Sequence, residues 1–162
     1  MADKLSTEIR SRIMSRIRSK DTKPELRVRS LVHRLGFRFR LHRKDLPGKP
    51  DIVLPRHRKV IFVHGCFWHG HPGCPRATRP TSRVDFWNAK LDRNIARDAA
   101  ALGKLKQAGW KVLTIWECEL KEDLKLTKRL ERYLKTKVPA GRGPAGTKQP
   151  RPTAESGTIG PG

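Results

Sequence analysis

The sequence predicts an α/β protein with a mixed central sheet flanked by helices. Three observations carry that expectation. Two helical patterns open the chain, three short strand-like stretches follow, and a long helical pattern then leads into a further strand, WKVLTIW at 110–116. Consecutive short strands favour an antiparallel meander, whereas strand, helix, strand favours a parallel crossover.

The elements follow in order. Leu5, Ile9, Ile13 and Ile17 stand four apart, with Arg10, Arg12, Arg16 and Arg18 between them, as in a basic amphipathic helix over 5–19. Asp21-Thr22-Lys23-Pro24-Glu25 ends it and starts a second helix. Thr22 is the N-cap, Pro24 suits the first turn, and Glu25 completes a capping box. This helix carries Leu26, Val28, Leu31, Val32 and Leu35 as apolar positions and is capped at Gly36. Phe37, Phe39 and Leu41 alternate with Arg38, Arg40 and His42, the period of a strand with one basic face. After the turn 46–50, strands are expected at 51–54 and 59–63, joined by the basic turn Arg56-His57-Arg58. Ser82 or Asp85 caps a long helix to about Ala108, whose apolar side includes Phe86, Leu91, Ile95, Leu102 and Leu105. Strand 110–116 and a last helix over 120–135 complete the order. From Val138 the composition changes to Gly, Pro, Ala, Ser and Thr, with Ile159 the only large apolar residue, too little to order the segment. The expected organisation is a basic N-terminal helix (1–20), a folded core (21–137) and a disordered tail (138–162).

Charge narrows the function. The 162-residue chain has 37 Lys+Arg against 15 Asp+Glu, a formal net charge of +22. Self-repulsion of that size disfavours compaction unless a polyanion neutralises it. The basic residues are spread over every helix, so nucleic acid is the first candidate partner and an anionic membrane surface the second. No segment reaches the roughly 20 apolar residues of a membrane span, and residues 1–20 lack the long apolar run of a secretory signal. Three cysteines are too few for a disulfide framework. A cytoplasmic protein that keeps thiolates for a metal is the expectation.

The chemistry concentrates in residues 63–74, which hold three of the six histidines, two of the three cysteines and the adjacent Phe67 and Trp68. Asp51 opens one strand just after Pro50, and the next strand ends at His64. A meander brings such positions to one sheet edge. A buried carboxylate beside a main-chain carbonyl suits Mg²⁺, the ion that phosphodiester hydrolysis uses to stabilise charge and activate water. Taken alone, Asp51 equally fits a strand-end cap or a surface partner for an arginine. His64 and His69 titrate in the range of a general base or acid; each alone equally fits a hydrogen-bonding loop residue. Cys66-x4-His71-x2-Cys74 supplies three soft ligands, and Cys118, the remaining cysteine, supplies the fourth of a tetrahedral zinc site. Spacing leaves His69 open as a replacement for His71. Phe67, Trp68, Trp87 and Met14 lie in basic surroundings, where exposed aromatic and apolar side chains stack on bases or wedge into a base step.

Together these residues resemble the very short patch repair (Vsr) endonucleases. The resemblance is carried by Met14, Asp21-Thr22 with Glu25, the run 46–51 (LPGKPD), the run 60–69 (VIFVHGCFWH), Phe86-Trp87, residues 94–98 and residues 109–118; it covers roughly 5–135. It implies a diverged restriction-endonuclease-like fold and a nick 5′ of the thymine in T·G mismatches, which arise when 5-methylcytosine deaminates. It further implies that Asp51 and the Val63 backbone carbonyl hold Mg²⁺, that His69 activates water with His64 near the phosphate, and that Glu25 supports both. Cys66, His71, Cys74 and Cys118 would be the zinc ligands. Phe67, Trp68 and Trp87 would enter DNA from the major groove and Met14 from the minor groove. The usual second acid and lysine of restriction-like folds are absent, with Phe62-Val63-His64 in their place. The implied partners are mismatched double-stranded DNA and mismatch-repair proteins, and a monomer suffices for a single-strand nick. Two other functions fit the same features: a zinc-stabilised DNA-binding module without catalysis, and a restriction-type endonuclease that cuts both strands.

Overall fold

The computed structural model describes residues 20–138, together with Ser6, Glu8, Ile9, Arg12, Ile13 and Arg16 of the N-terminal segment. Met14 and the tail beyond Val138 lie outside the described residues. Helix α1 (Lys23–Arg34) precedes strands β1 (Arg40–Leu41), β2 (Ile52–Leu54) and β3 (Lys59–His64). Helix α2 (Val84–Gln107) then leads to β4 (Lys111–Trp116), and α3 (Asp123–Lys135) follows. The sheet has the order β1-β2-β3-β4, antiparallel through the first three strands and parallel between β3 and β4. The meander and the crossover are both as expected.

Strand alternation sorts the core into two faces. Ile52, Leu54, Ile61 and Ile115 pack with Val28, Leu31 and Val32 of α1 and Leu126, Leu130 and Leu134 of α3. Val53, Val60 and Phe62 point the other way and pack with Leu105 of α2. The parity extends to the polar ends of the strands. Asp51 lies two residues before Val53, and His64 two after Phe62, so both belong to the α2 side. Two observed close approaches tighten that side. Gly48, at φ +72, sits where a Cβ would come within 2.7 Å of Ala101 Cβ; Gly70, at φ +60, sits where one would meet Ile95 Cδ1 at 2.5 Å. Only glycine lets the loops 46–49 and 65–74 close onto α2 in this way.

Several local expectations are corrected. The stretch 37–41 pairs only at Arg40 and Leu41, opposite Val53 and Ile52; past Leu54 the partner chain turns away into the 3₁₀ segment Pro55–His57, whose proline has no N–H to give a ladder. Phe37 and Phe39 still pack against the core without ladder bonds. Leu35 rather than Gly36 caps α1. Helix α2 is preceded by Arg83 in the left-handed conformation, with no side-chain cap from Ser82 or Asp85. The last helix starts at Asp123, because 117–121 forms a 3₁₀ turn in which Glu119 Oε2 accepts from the Trp116 amide at 2.9 Å. Leu26, Phe86 and Ile95, expected on apolar faces, are exposed. The capping box is met in half: Glu25 N donates to Thr22 Oγ1, but the Glu25 carboxylate accepts from the amide of Asp21, one residue before the cap, at 2.9 Å.

Candidate active site and metal cluster

Where β3 ends, a cleft of about 560 Å³ opens between the sheet and α2. Glu25, Asp51, Val63, His64, His69 and Asp98 line it, with Lys44, Lys49, Arg97 and Lys104 among its cations. Ile52 pairs with Ile61, which carries Asp51 alongside Phe62 and Val63. The Val63 amide donates to Asp51 Oδ2 at 2.7 Å. Burial pushes the Asp51 carboxyl up to about 6 against the help of that amide, and the nearby Glu25 carboxylate adds to the rise. A buried carboxylate raised by desolvation and by a second acid is one that a hard cation would relieve, and oxygen donors suit such a cation.

His64 and His69 stack face to face, their centroids 3.8 Å apart and their planes 6° from parallel. Burial, then the neighbouring His69, lowers His64 to about 4, so it is a neutral imidazole near pH 7. His69 Nδ1 lies 2.5 Å from Asp98 Oδ2. A carboxylate at Nδ1 holds the proton on that nitrogen and leaves Nε2 as the acceptor, the arrangement of an oriented general base. Asp98 is the functional candidate that sequence reasoning left without a role. Its signal was a carboxylate interrupting the apolar stripe of α2, three residues after Ile95 and four before Leu102. The same helical face presents Asn94, whose Nδ2 donates to the Trp68 carbonyl at 3.1 Å and so ties down the loop. Glu25 sits at the rear of the cleft. Its carboxylate accepts from Thr22 Oγ1, the Asp21 amide and Arg29 Nη2, and its side chain is buried.

Cys66, His71, Cys74 and Cys118 bring their ligand atoms within 4.8 Å of one another. His71, not His69, is the imidazole among the thiols. Its Nδ1 is 3.6 Å from Cys66 Sγ and 3.3 Å from Cys118 Sγ. A tetrahedral zinc would set such S···N separations near about 3.5 Å. Burial and the adjacent thiols push the Cys66 thiol up to about 12, so Cys66 becomes a thiolate at neutral pH only with a cation to compensate it, whereas hydrogen bonds from the Arg76 amide and the neighbouring thiols hold Cys74 below the ordinary thiol range. Both observations fit a thiolate-bound metal. Trp116 joins the two sites: it stacks on the His71 ring (4.3 Å, 9°) and meets the His64 ring edge-on at 5.5 Å.

Phe67, Trp68 and Trp87 form one cluster, with ring centroids 5.1–6.1 Å apart. Lys90 Nζ lies within 6 Å of the rings of Trp68, Phe86 and Trp87. Trp87 is buried beneath the cluster, Phe67 and Trp68 are half-buried, and Phe86 is exposed. Among the described residues no helix is long and apolar enough to cross a membrane.

Residues 2–75 match the model of the family described as DNA mismatch endonuclease Vsr. The chain is 53% identical over 134 residues to the type II nicking enzyme V.XorIIP of Xanthomonas oryzae pv. oryzae, covering 83% of this chain and 98% of that one. It is 44% identical to the type II nicking enzyme V.NmeAIP of Neisseria meningitidis, covering 83% and 96%. It is 41% identical to the DNA mismatch endonuclease Vsr of Escherichia coli, covering 83% and 88%. These matches define a DNA endonuclease, a hydrolase of phosphodiester bonds. The chain belongs to the DNA mismatch endonuclease Vsr family.

Proposed function

We propose that this protein is a Mg²⁺-dependent, strand-specific nicking endonuclease that hydrolyses the phosphodiester 5′ of the thymine in T·G mismatches, on a restriction-endonuclease-like fold. The observation that carries the chemistry is the single cleft holding Asp51, the His64–His69 stack and the His69–Asp98 pair, lined by cations suited to a phosphate. The family and its nicking relatives carry the substrate class.

His69 takes the proton from the attacking water at Nε2, while Asp98 fixes its tautomer and stabilises the imidazolium that forms. His64, neutral and stacked on His69, serves as a hydrogen-bonding group to the phosphate; two stacked imidazolium rings would repel each other. Asp51 and the Val63 carbonyl are the residues that would hold Mg²⁺, which when bound stabilises charge on the phosphate and acidifies water. Glu25 holds the entry to α1 against the cleft through its bonds to Arg29, Thr22 Oγ1 and the Asp21 amide, and keeps negative charge beside Asp51. Cys66, His71, Cys74 and Cys118 would hold a structural Zn²⁺, fixing the loop that carries His69, Phe67 and Trp68. Phe67 and Trp68, with Trp87 beneath them, test the base step for mismatch from the major groove, and Met14 of the basic segment 1–20 enters from the minor groove. Residues 21–137 form the catalytic core and 138–162 the tail. One active site per nick makes a monomer sufficient, working in the cytoplasm alongside mismatch-repair proteins.

The test is a duplex with one labelled strand and one T·G pair, incubated with protein and Mg²⁺. A single nick 5′ of the thymine, in that strand only, is expected. Equal cleavage of a T·A control, cuts in both strands, or no cleavage across varied flanking sequences would overturn the proposal; binding without cleavage would point to a DNA-binding module.

A further inference from the structure

A second cavity, of about 570 Å³, lies at the opposite end of β3 from the active-site cleft. Its charged walls are Arg56 and Arg58 of the β2–β3 turn and Lys135 and Lys137 at the end of α3; Phe37 and Leu134 supply an apolar lining. Among the described residues, no acidic one lines it. Lys59, also in the wall, is fully buried and spends its ammonium on the carbonyls of Leu134 and Thr136, both at 2.6 Å, which locks the end of α3 to the start of β3. Arg58 occupies the left-handed conformation at φ 48, where glycine or asparagine is the usual choice. Its guanidinium bonds the Ala108 carbonyl at 2.5 Å and lies 5.0 Å over Trp110. Lys135 has Glu131 as a partner, whereas Arg56 and Lys137 have no ion-pair partner among the described residues. The cavity is therefore rigidly walled and electrically one-sided.

We infer that this cavity docks an acidic segment of a protein partner that also carries an apolar anchor residue. Three observations choose that occupant. First, the cavity and the cleft lie at opposite ends of β3, at Lys59 and at His64, five strand residues or about 17 Å apart, and share no lining residue. Secondly, a bare phosphate backbone makes no use of the Phe37 and Leu134 lining, whereas a peptide places an apolar side chain there and carboxylates on the surrounding cations. Thirdly, residues 139–162 carry Arg142, Lys148 and Arg151 against Glu155 alone, so the chain's own tail lacks the complementary charge.

The probe is a short fluorescein-labelled peptide of aspartates and glutamates with two leucines, titrated by anisotropy into the full-length protein. Comparison probes are a leucine-free acidic peptide and an unlabelled T·G duplex as competitor. The R56E/K137E double variant spares the structural contacts of Arg58 and Lys59. It should bind the leucine peptide at least about tenfold more weakly, while circular dichroism and T·G nicking stay unchanged. Wild type should favour the leucine peptide over the leucine-free one and should keep it bound when the cleft is saturated with duplex. Equal binding of the peptide by variant and wild type, equal binding of the two peptides, or displacement by the duplex would each overturn the inference. Loss of duplex affinity in the double variant would overturn it too, by giving the cavity to DNA. Absence of T·G cleavage by wild type would count against the proposed function alone, since peptide binding is read without cleavage.

Discussion

The two polar clusters of this protein share a loop and a tryptophan but are built differently. The thiol cluster draws Cys66, His71 and Cys74 from nine consecutive positions and closes with Cys118 just past β4. The cleft draws Asp51 from the start of β2, His64 from the end of β3, His69 from the loop and Asp98 from α2. The first is closed, four soft ligands facing one point, as a site that holds structure should be. The second is open on one side and leaves Asp51 with a single amide hydrogen bond, as a site that must admit a phosphate and a hard cation should be. On the proposed function, one cluster would fix the loop and the other would use a residue that the loop presents.

Variants can separate the two roles. The largest expected effect is on activity: Asp51→Asn should abolish nicking, by more than about 10³-fold, while zinc content and duplex binding persist. The same variant should be more stable than wild type at neutral pH without Mg²⁺. The folded-state carboxyl is raised from 3.8 to about 6, so the stability it contributes is present below pH 3.8 and lost as pH rises through about 6. Asparagine removes that penalty, worth up to about 3 kcal/mol, and urea melts should show roughly half of the gain at pH 5 and all of it at pH 8. For wild type, kcat/KM should fall as pH drops below about 6, and more Mg²⁺ should move that limb to lower pH because metal and proton compete for Asp51.

Breaking the thiol cluster should act on structure first. Cys118→Ser should lower bound zinc from one equivalent to near none by elemental analysis, and loop proteolysis should rise in parallel with lost nicking. Asp98→Asn should leave zinc and KM alone and lower kcat about 10²–10⁴-fold, because His69 loses the partner that sets its tautomer. Trp116→Leu addresses the contact between the sites and should be the mildest, at about tenfold in kcat, with faster zinc loss to a chelator; Trp116→Phe should restore most of both.

The same contrast explains what could be read from the chain. The thiol cluster was legible because cysteines are few and their spacing has few other uses, although the choice of His71 over His69 needed the fold. Asp51 and His64 were legible as strand ends once a meander was expected, since alternation puts both on one face. Asp98 was not, because it lies 29 residues from His69 on a helix, and only the crossover and the close approach at Gly70 bring them together. Among the elements, the Thr22 cap of α1 and the β3–β4 strands followed from local pattern. The shortening of β1 depended on where its partner leaves the ladder at Pro55, and the 3₁₀ turn before α3 on the bond from the Trp116 amide to Glu119, neither of which hydrophobic periodicity signals. Phe86 was assigned to the core by helical period alone; it lies instead on the exposed aromatic surface above Trp87.

The most direct test is single-turnover nicking of a T·G duplex by Asp51→Asn protein, with zinc content and duplex binding measured on the same sample. Division of labour between the clusters predicts one equivalent of zinc, duplex affinity like wild type, and no nick at any Mg²⁺ concentration. Persistent nicking, or loss of zinc together with activity, would contradict it.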